Sequence, residues 1–171
     1  MPTTSLRPAR SLALVASLSV AALALTGCSV IEQIFPTQAE RNSETQEVES
    51  AGEADVFEMA VGDCLNDQAS DTETVETIPA VPCSEPHDLE AYFSYDLTET
   101  TFPGQEAVYD LAAEGCYNEF ANFVGIAYEE STLDISYYVP SPESWEAGDR
   151  EVMCLIYDTA PTTGTLAGAA R

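Results

Sequence analysis

Four cysteines, Cys64, Cys83, Cys116 and Cys154, fall between residues 64 and 154 of a 171-residue chain, and a fifth, Cys28, stands apart near the N-terminus. This set constrains the fold more than any other feature. In an oxidising compartment an even number of cysteines closes loops covalently, whereas in a reducing one the same residues would remain thiols or bind metal. The compartment is therefore the first question, and the N-terminus answers it.

Arg7 and Arg10 make a basic start, and Ser11 to Thr26 follow with no charged residue. The run closes on Leu25-Thr26-Gly27-Cys28. A basic start, a short apolar run and small residues before a cysteine form a signal peptide with the lipobox of a bacterial lipoprotein. At 16 residues the apolar run falls short of the roughly 20 that a spanning helix needs. The expectation is cleavage after residue 27, a diacylglycerol on the Cys28 thiol, and anchorage at the extracytoplasmic face of the cell membrane.

Lipidation of Cys28 leaves an even set. Four cysteines allow three pairings. Cys64 with Cys83 would staple two neighbouring strands. Cys116 with Cys154 would tie a helix to the last strand, because Cys116 lies on an apolar helical stripe and Cys154 inside an apolar run. These two pairs are the expectation. No two of the cysteines have CxxC spacing, which argues against a redox motif or a zinc knuckle.

From Cys28 onwards the chain keeps all 30 Asp and Glu and only three Arg, with no Lys, a formal charge of −27. Such a chain repels nucleic acid and anionic lipid. Without Lys there is no P-loop phosphate site and no Schiff base. Asp63, Asp67 and Asp71 are spaced by four and lack the glycine of an EF-hand loop, so no calcium loop is read there. No metal and no cofactor are expected.

Composition divides the chain into a signal peptide (1–27), a lipidated, acidic, disordered tether (28–55), one folded domain (56–158) and a loose tail (159–171). The tether and tail carry too few large apolar residues to fold alone. Within the domain, Val56–Leu65, Glu73–Val81, Leu89–Leu97, Leu133–Val139 and Val152–Tyr157 read as strands. In the third, Leu89, Ala91, Phe93 and Tyr95 alternate with Glu90, Tyr92, Ser94 and Asp96, which places them on opposite faces. Val108, Leu111, Ala112, Cys116, Phe120 and Phe123 recur at helical steps after the Phe102-Pro103-Gly104 turn, and Gly125 stops the helix. The order β-β-β-α-β-β predicts an α+β fold, one helix packed on a mainly antiparallel sheet.

Two segments look least like scaffold. Pro82 to Glu90 holds Pro86, the sole histidine His87, and three carboxylates, Glu85, Asp88 and Glu90. His87 and Glu90 could form an acid–base or metal pair, but no second histidine completes a metal site. The plain alternative is a tight turn in which His87 bonds locally and Glu90 faces solvent. In the second segment, Gly148-Asp149-Arg150, the arginine is expected to take a carboxylate partner, with a bidentate fork suiting it. Trp145 just before it reads as a lid over the core.

Gly62-Asp63-Cys64-Leu65, Val81-Pro82-Cys83, Pro86-His87, Glu90, Phe102-Pro103-Gly104, Cys116, Trp145, Gly148-Asp149-Arg150 and Cys154, taken in order, resemble the septum formation-related domain of actinobacterial envelope proteins. The resemblance covers about Phe57 to Asp158. It implies an extracytoplasmic, non-enzymatic domain and marks the Pro86-His87 and Gly148-Asp149-Arg150 segments without assigning them a role.

The expected function is a lipid-anchored binding or interaction module of the envelope, linked to septum formation or wall assembly. Its expected partners are the membrane, through the lipid, and an envelope protein or wall component; nucleic acid is not among them. One alternative is an envelope hydrolase using carboxylates such as Asp88 and Glu90. Another is a small ligand-binding lipoprotein, but a two-lobed transporter receptor needs more chain than one small domain supplies.

Overall fold

A computed structural model describes residues 37–67 and 76–171. The expected signal peptide, the Cys28 anchor, residues 29–36 of the expected tether and residues 73–75 of the second expected strand lie outside the described residues. Among the described residues no helix is long and apolar enough to cross a membrane.

Among the described residues, eight strands and two α-helices are found: β1 (Glu40–Arg41), β2 (Val48–Ser50), β3 (Gly52–Asp55), β4 (Cys64–Leu65), β5 (Thr77–Val81), β6 (Leu89–Asp96), α1 (Gln105–Val124), β7 (Asp134–Tyr138), α2 (Pro142–Glu146) and β8 (Glu151–Tyr157). β1 and β2 make a hairpin, and the others form one sheet in the order β3-β5-β4-β6-β8-β7 with every neighbouring pair antiparallel. The fold is α+β, as the patterning predicts.

Both faces of the sheet are apolar. On one, α1 presents Val108, Ala112, Cys116, Phe120 and Val124, all buried, against Val152, Cys154 and Ile156 of β8. On the other, Met153 and Leu155 join Ile78, Ala80, Leu65 and Ala91 in a second cluster. The alternation along β8 is the period of two that a strand buried on both faces displays. The disulfides are Cys64–Cys83 and Cys116–Cys154, the two pairs expected, with sequence separations of 19 and 38. The second ties α1 to β8 through the core.

β6 departs from simple alternation. Ala91 lies opposite Leu155 and Phe93 opposite Cys154, so the register slips by one at Tyr92. A bulge of this kind moves every later side chain to the other face. Ala91 therefore packs in the second cluster, while Tyr92, Phe93 and Tyr95 all pack towards α1. The Tyr92 hydroxyl donates to the Cys116 carbonyl at 2.5 Å and that of Tyr95 to the Leu111 carbonyl at 2.8 Å. Gly115 sits between those carbonyls, and a Cβ there would lie 2.1 Å from the Tyr95 hydroxyl. A mid-helix glycine costs about 1 kcal/mol relative to alanine, and here it admits the tyrosine.

The structure corrects three boundaries. Val56–Leu65 is not one strand: Val56–Glu58 is a 3-10 turn capped by the Asp55 carboxylate, and only Cys64–Leu65 pairs. Thr37–Asp55, expected as tether, carries β1 to β3 and lays Val48 and Ala54 on the second cluster. Arg41 from this segment forks onto Asp63, with Nη1 to Oδ1 at 2.6 Å and Nη2 to Oδ2 at 2.7 Å. Asp63 is buried, and its Oδ2 also accepts the Ala60 N–H at 2.9 Å. The fork fixes the hairpin to the turn before β4. The third boundary is the C-terminus, where Thr159–Arg171 is docked rather than loose. Leu166 is buried in the core beside α1, and the N–H groups of Gly168 and Ala170 donate to the Phe123 and Val124 carbonyls.

Candidate functional site

The turn between β5 and β6 brings Cys83, Pro86 and His87 over the end of β4, and β6 carries Glu90 beside them. His87 is fully buried and Glu90 is 2% exposed, so the expectation that Glu90 faces solvent is overturned. What covers them is the chain's own C-terminal segment. His87 and Thr162 exchange backbone hydrogen bonds, N–H to carbonyl, at 3.0 and 2.8 Å. The two ring nitrogens of His87 meet the Glu85 carbonyl at 2.9 Å through Nδ1 and the Thr162 hydroxyl at 3.1 Å through Nε2. A carbonyl can only accept, so Nδ1 donates to Glu85. Glu90 accepts from the Thr165 hydroxyl through Oε1 at 2.5 Å and from the Leu166 N–H through Oε2 at 2.6 Å. The Gly164 N–H donates to the Cys83 carbonyl at 2.6 Å.

This is a clamp. One backbone bridge sets the register of Thr162, a carboxylate takes two donors three and four residues on, and Leu166 enters the core. Cys64 Sγ, a His87 nitrogen and a Glu90 oxygen come within 4.8 Å of one another. A cysteine ligates as its thiolate, and the Cys64 sulfur is bonded to Cys83. Pro86 contributes its carbonyl, which accepts from Asn66 Nδ2 at 3.4 Å. Asp88 anchors the turn with its N–H, which reaches the Leu65 carbonyl at 3.0 Å and Asn66 Oδ1 at 3.1 Å.

The second segment closes the corner between α2 and β8. Ser141 and Ser144 cap α2 reciprocally, with Pro142 in its first turn. Asp149 binds the Ser144 hydroxyl at 2.8 Å and the Glu151 N–H at 3.0 Å. Gly148 turns the chain with φ of 105°, a conformation that favours glycine. Arg150 does not take the expected carboxylate. Its Nη1 donates to the Trp145 carbonyl at 2.9 Å and the Asp149 carbonyl at 2.5 Å, and its guanidinium lies 3.7 Å from the Trp145 ring centroid. Asp149 is engaged with α2, so the cation finds an aromatic face and two carbonyls instead. Trp145 is buried, edge-on to Phe102, with the arginine on its face.

His87 and Glu90 hold one corner of the fold and Arg150 with Trp145 another, while Asp88 and Asp149 from the two segments line a common groove. That groove, of about 1060 Å³, is lined by Met153, Leu155 and Tyr138 of the sheet, Gln105 and Tyr109 of α1, the α2 segment and Thr159–Pro161. Tyr138 hydrogen-bonds Asp67 across it, and burial, reinforced by that carboxylate, holds the Tyr138 phenol neutral far into the alkaline range. The sequence reading missed the groove, Arg41 and the clamped residues Thr162, Thr165 and Leu166. Leu166, one apolar side chain in a run of Thr, Gly and Ala, was the available signal for the last.

The chain is a disulfide-stapled α+β domain whose marked polar residues hold turns and the C-terminal segment. The sequence model described as Septum formation matches residues 26–154, and the chain belongs to that family. Membership links the protein to septum formation and the cell envelope. The match ends before the segment that His87 and Glu90 hold. No curated protein and no solved structure matches the chain.

Proposed function

We propose that the chain is a lipid-anchored, non-catalytic interaction module on the extracytoplasmic face of the cell envelope of an actinobacterium, acting with an envelope protein or wall component during septum formation. Family membership carries the link to septation. Gly27-Cys28 after an apolar run supports the anchor, since that pattern places the thiol where a diacylglycerol is added. The two disulfides suit an oxidising compartment.

The non-catalytic reading is supported by the fate of the best acid–base candidates. A general base must reach a substrate proton. His87 and Glu90 instead hold Thr162, Thr165 and Leu166 of the same chain.

Cys28→Ser tests the anchor. The variant loses its acyl label and leaves the membrane fraction or accumulates unprocessed; normal processing with full membrane retention contradicts the proposal. Incubation of the purified chain with isolated wall material tests the other half, and hydrolysis that disappears in Glu90→Gln would show an enzyme.

A further inference from the structure

The two disulfides sit in opposite surroundings. Cys116 and Cys154 are both fully buried in the core under α1. In the other pair the two ends differ. Cys64 is fully buried on β4, whereas Cys83 is partly exposed, and Ser84, Glu85 and Pro86 after it are exposed. Thiol–disulfide exchange begins with attack of a thiolate on one sulfur, so access decides which bond reacts and which sulfur is struck. Cys83 is the reachable sulfur, and Cys64 is the leaving group. The turn also accommodates the reduced state. Cys83 Sγ lies 3.3 Å from the Gly62 carbonyl, an acceptor that the sulfur can use only as a thiol.

The bond's position couples it to the C-terminal clamp. Cys64 lies opposite Glu90 in the β4–β6 register, and the Cys83 carbonyl accepts the Gly164 N–H at 2.6 Å. His87, in the same turn, exchanges backbone hydrogen bonds with Thr162. The disulfide therefore ties the turn that holds Thr162 and Gly164 to the strand beside the carboxylate that holds Thr165 and Leu166. From Thr159 to Arg171 the chain has one large apolar side chain, Leu166. A segment with so little to bury depends on its seat for order.

We propose that Cys64–Cys83 is a thiol-exchange site for a dithiol protein of the envelope, and that its reduction loosens the clamp and releases the C-terminal segment. One thiolate of the dithiol bonds to Cys83 Sγ as the Cys64–Cys83 bond breaks, and Cys64 leaves as a thiolate that takes up a proton. The second sulfur of the dithiol then displaces Cys83. The dithiol gives up two electrons and two protons and becomes a disulfide; the chain gains them as two thiols. The freed turn relaxes, Thr162 and Gly164 lose a fixed seat, and Leu166 parts from the core more readily. Cys116–Cys154 keeps α1 on the sheet throughout.

The test treats the full mature chain, folded and in non-ionic detergent, with dithiothreitol as the dithiol. Samples are quenched with iodoacetamide over time and mapped by peptide mass. Cys64 and Cys83 should become alkylated about tenfold faster or more than Cys116 and Cys154, because the second pair reacts only when the core opens. In the singly reduced protein, amide exchange at Leu166 and Gly168 should accelerate while that of β8 stays slow. Cys64→Ala with Cys83→Ala should show the same acceleration with no reductant present. Equal reduction of the two bonds, resistance of both short of global unfolding, or reduction of the first that leaves exchange at Leu166 unchanged each overturns the proposal.

Discussion

Glu90 accepts the backbone N–H of Leu166 at 2.6 Å across 76 residues of sequence. With the Thr165 hydroxyl on its other oxygen, this carboxylate locks the C-terminal segment to β6. Glu90→Ala leaves a buried N–H and a hydroxyl without acceptors, and should lower stability by about 2–3 kcal/mol, in the range for hydrogen bonds to a charged group. Glu90→Gln retains an acceptor and should cost less. Urea unfolding of the two variants checks the order, and amide exchange at Leu166 should accelerate in both.

Arg41 and Asp63 predict a second local anchor. Arg41→Ala strands a buried carboxylate that keeps only the Ala60 N–H. The cost should be about 2–4 kcal/mol, towards the lower end for breaking a buried ion pair because Arg41 is partly exposed. Proteolysis should then open the β1–β2 hairpin before the main sheet. Cleavage at wild-type rate would show that the fork is dispensable.

The disulfides should differ in worth. In the chain-entropy account, stabilisation grows with loop length, to about 3 kcal/mol for the Cys64–Cys83 loop and about 4 kcal/mol for Cys116–Cys154. Paired Cys→Ala variants, compared by denaturant midpoint, should show the second pair as the costlier loss, since it also removes sulfur from the core.

The tyrosines predict behaviour in alkali. Burial raises Tyr92, and burial with the Asp67 hydrogen bond raises Tyr138. The hydrogen bond to Asp134 pushes Tyr128 up to about 12. A raised folded value contributes stability that is complete below the unfolded phenol value and is lost as pH climbs through the folded one. The domain should therefore lose stability progressively above about pH 10. Phenolate absorbance of Tyr92 and Tyr138 should appear with unfolding rather than before it. Titration of Tyr92 and Tyr138 together with the exposed Tyr109 and Tyr117, before unfolding, would contradict the burial of the first two.

Much of this architecture was legible in the chain. The helical stripe around Cys116 and the apolar run around Cys154 pointed to the bond that joins them, because a helix and a strand must bury those faces against each other. The bulge at Tyr92 was not legible, since period-two patterning looks unbroken until the register with β8 is seen. Nor were the two termini of the domain. Strands of two to four residues with mostly charged side chains carry no periodic signal. A Thr-, Gly- and Ala-rich segment folds here only because a distant His87 and Glu90 supply its partners. Those two residues were recognised as unusual, but the groups that satisfy them lie some 75 residues away. Arg150 was misassigned because a ring face and carbonyls can hold a guanidinium as a carboxylate does.

The central claim is that the chain works at the septum as an anchored, extracytoplasmic module. Immunofluorescence with antibody against the folded domain, in dividing cells carrying either the wild type or Cys28→Ser, tests it most directly and leaves the docked C-terminus untouched. The account predicts wild-type protein concentrated at new septa on the outer face and loss of that pattern in the variant. Uniform staining of the membrane in cells that are actively dividing would contradict it.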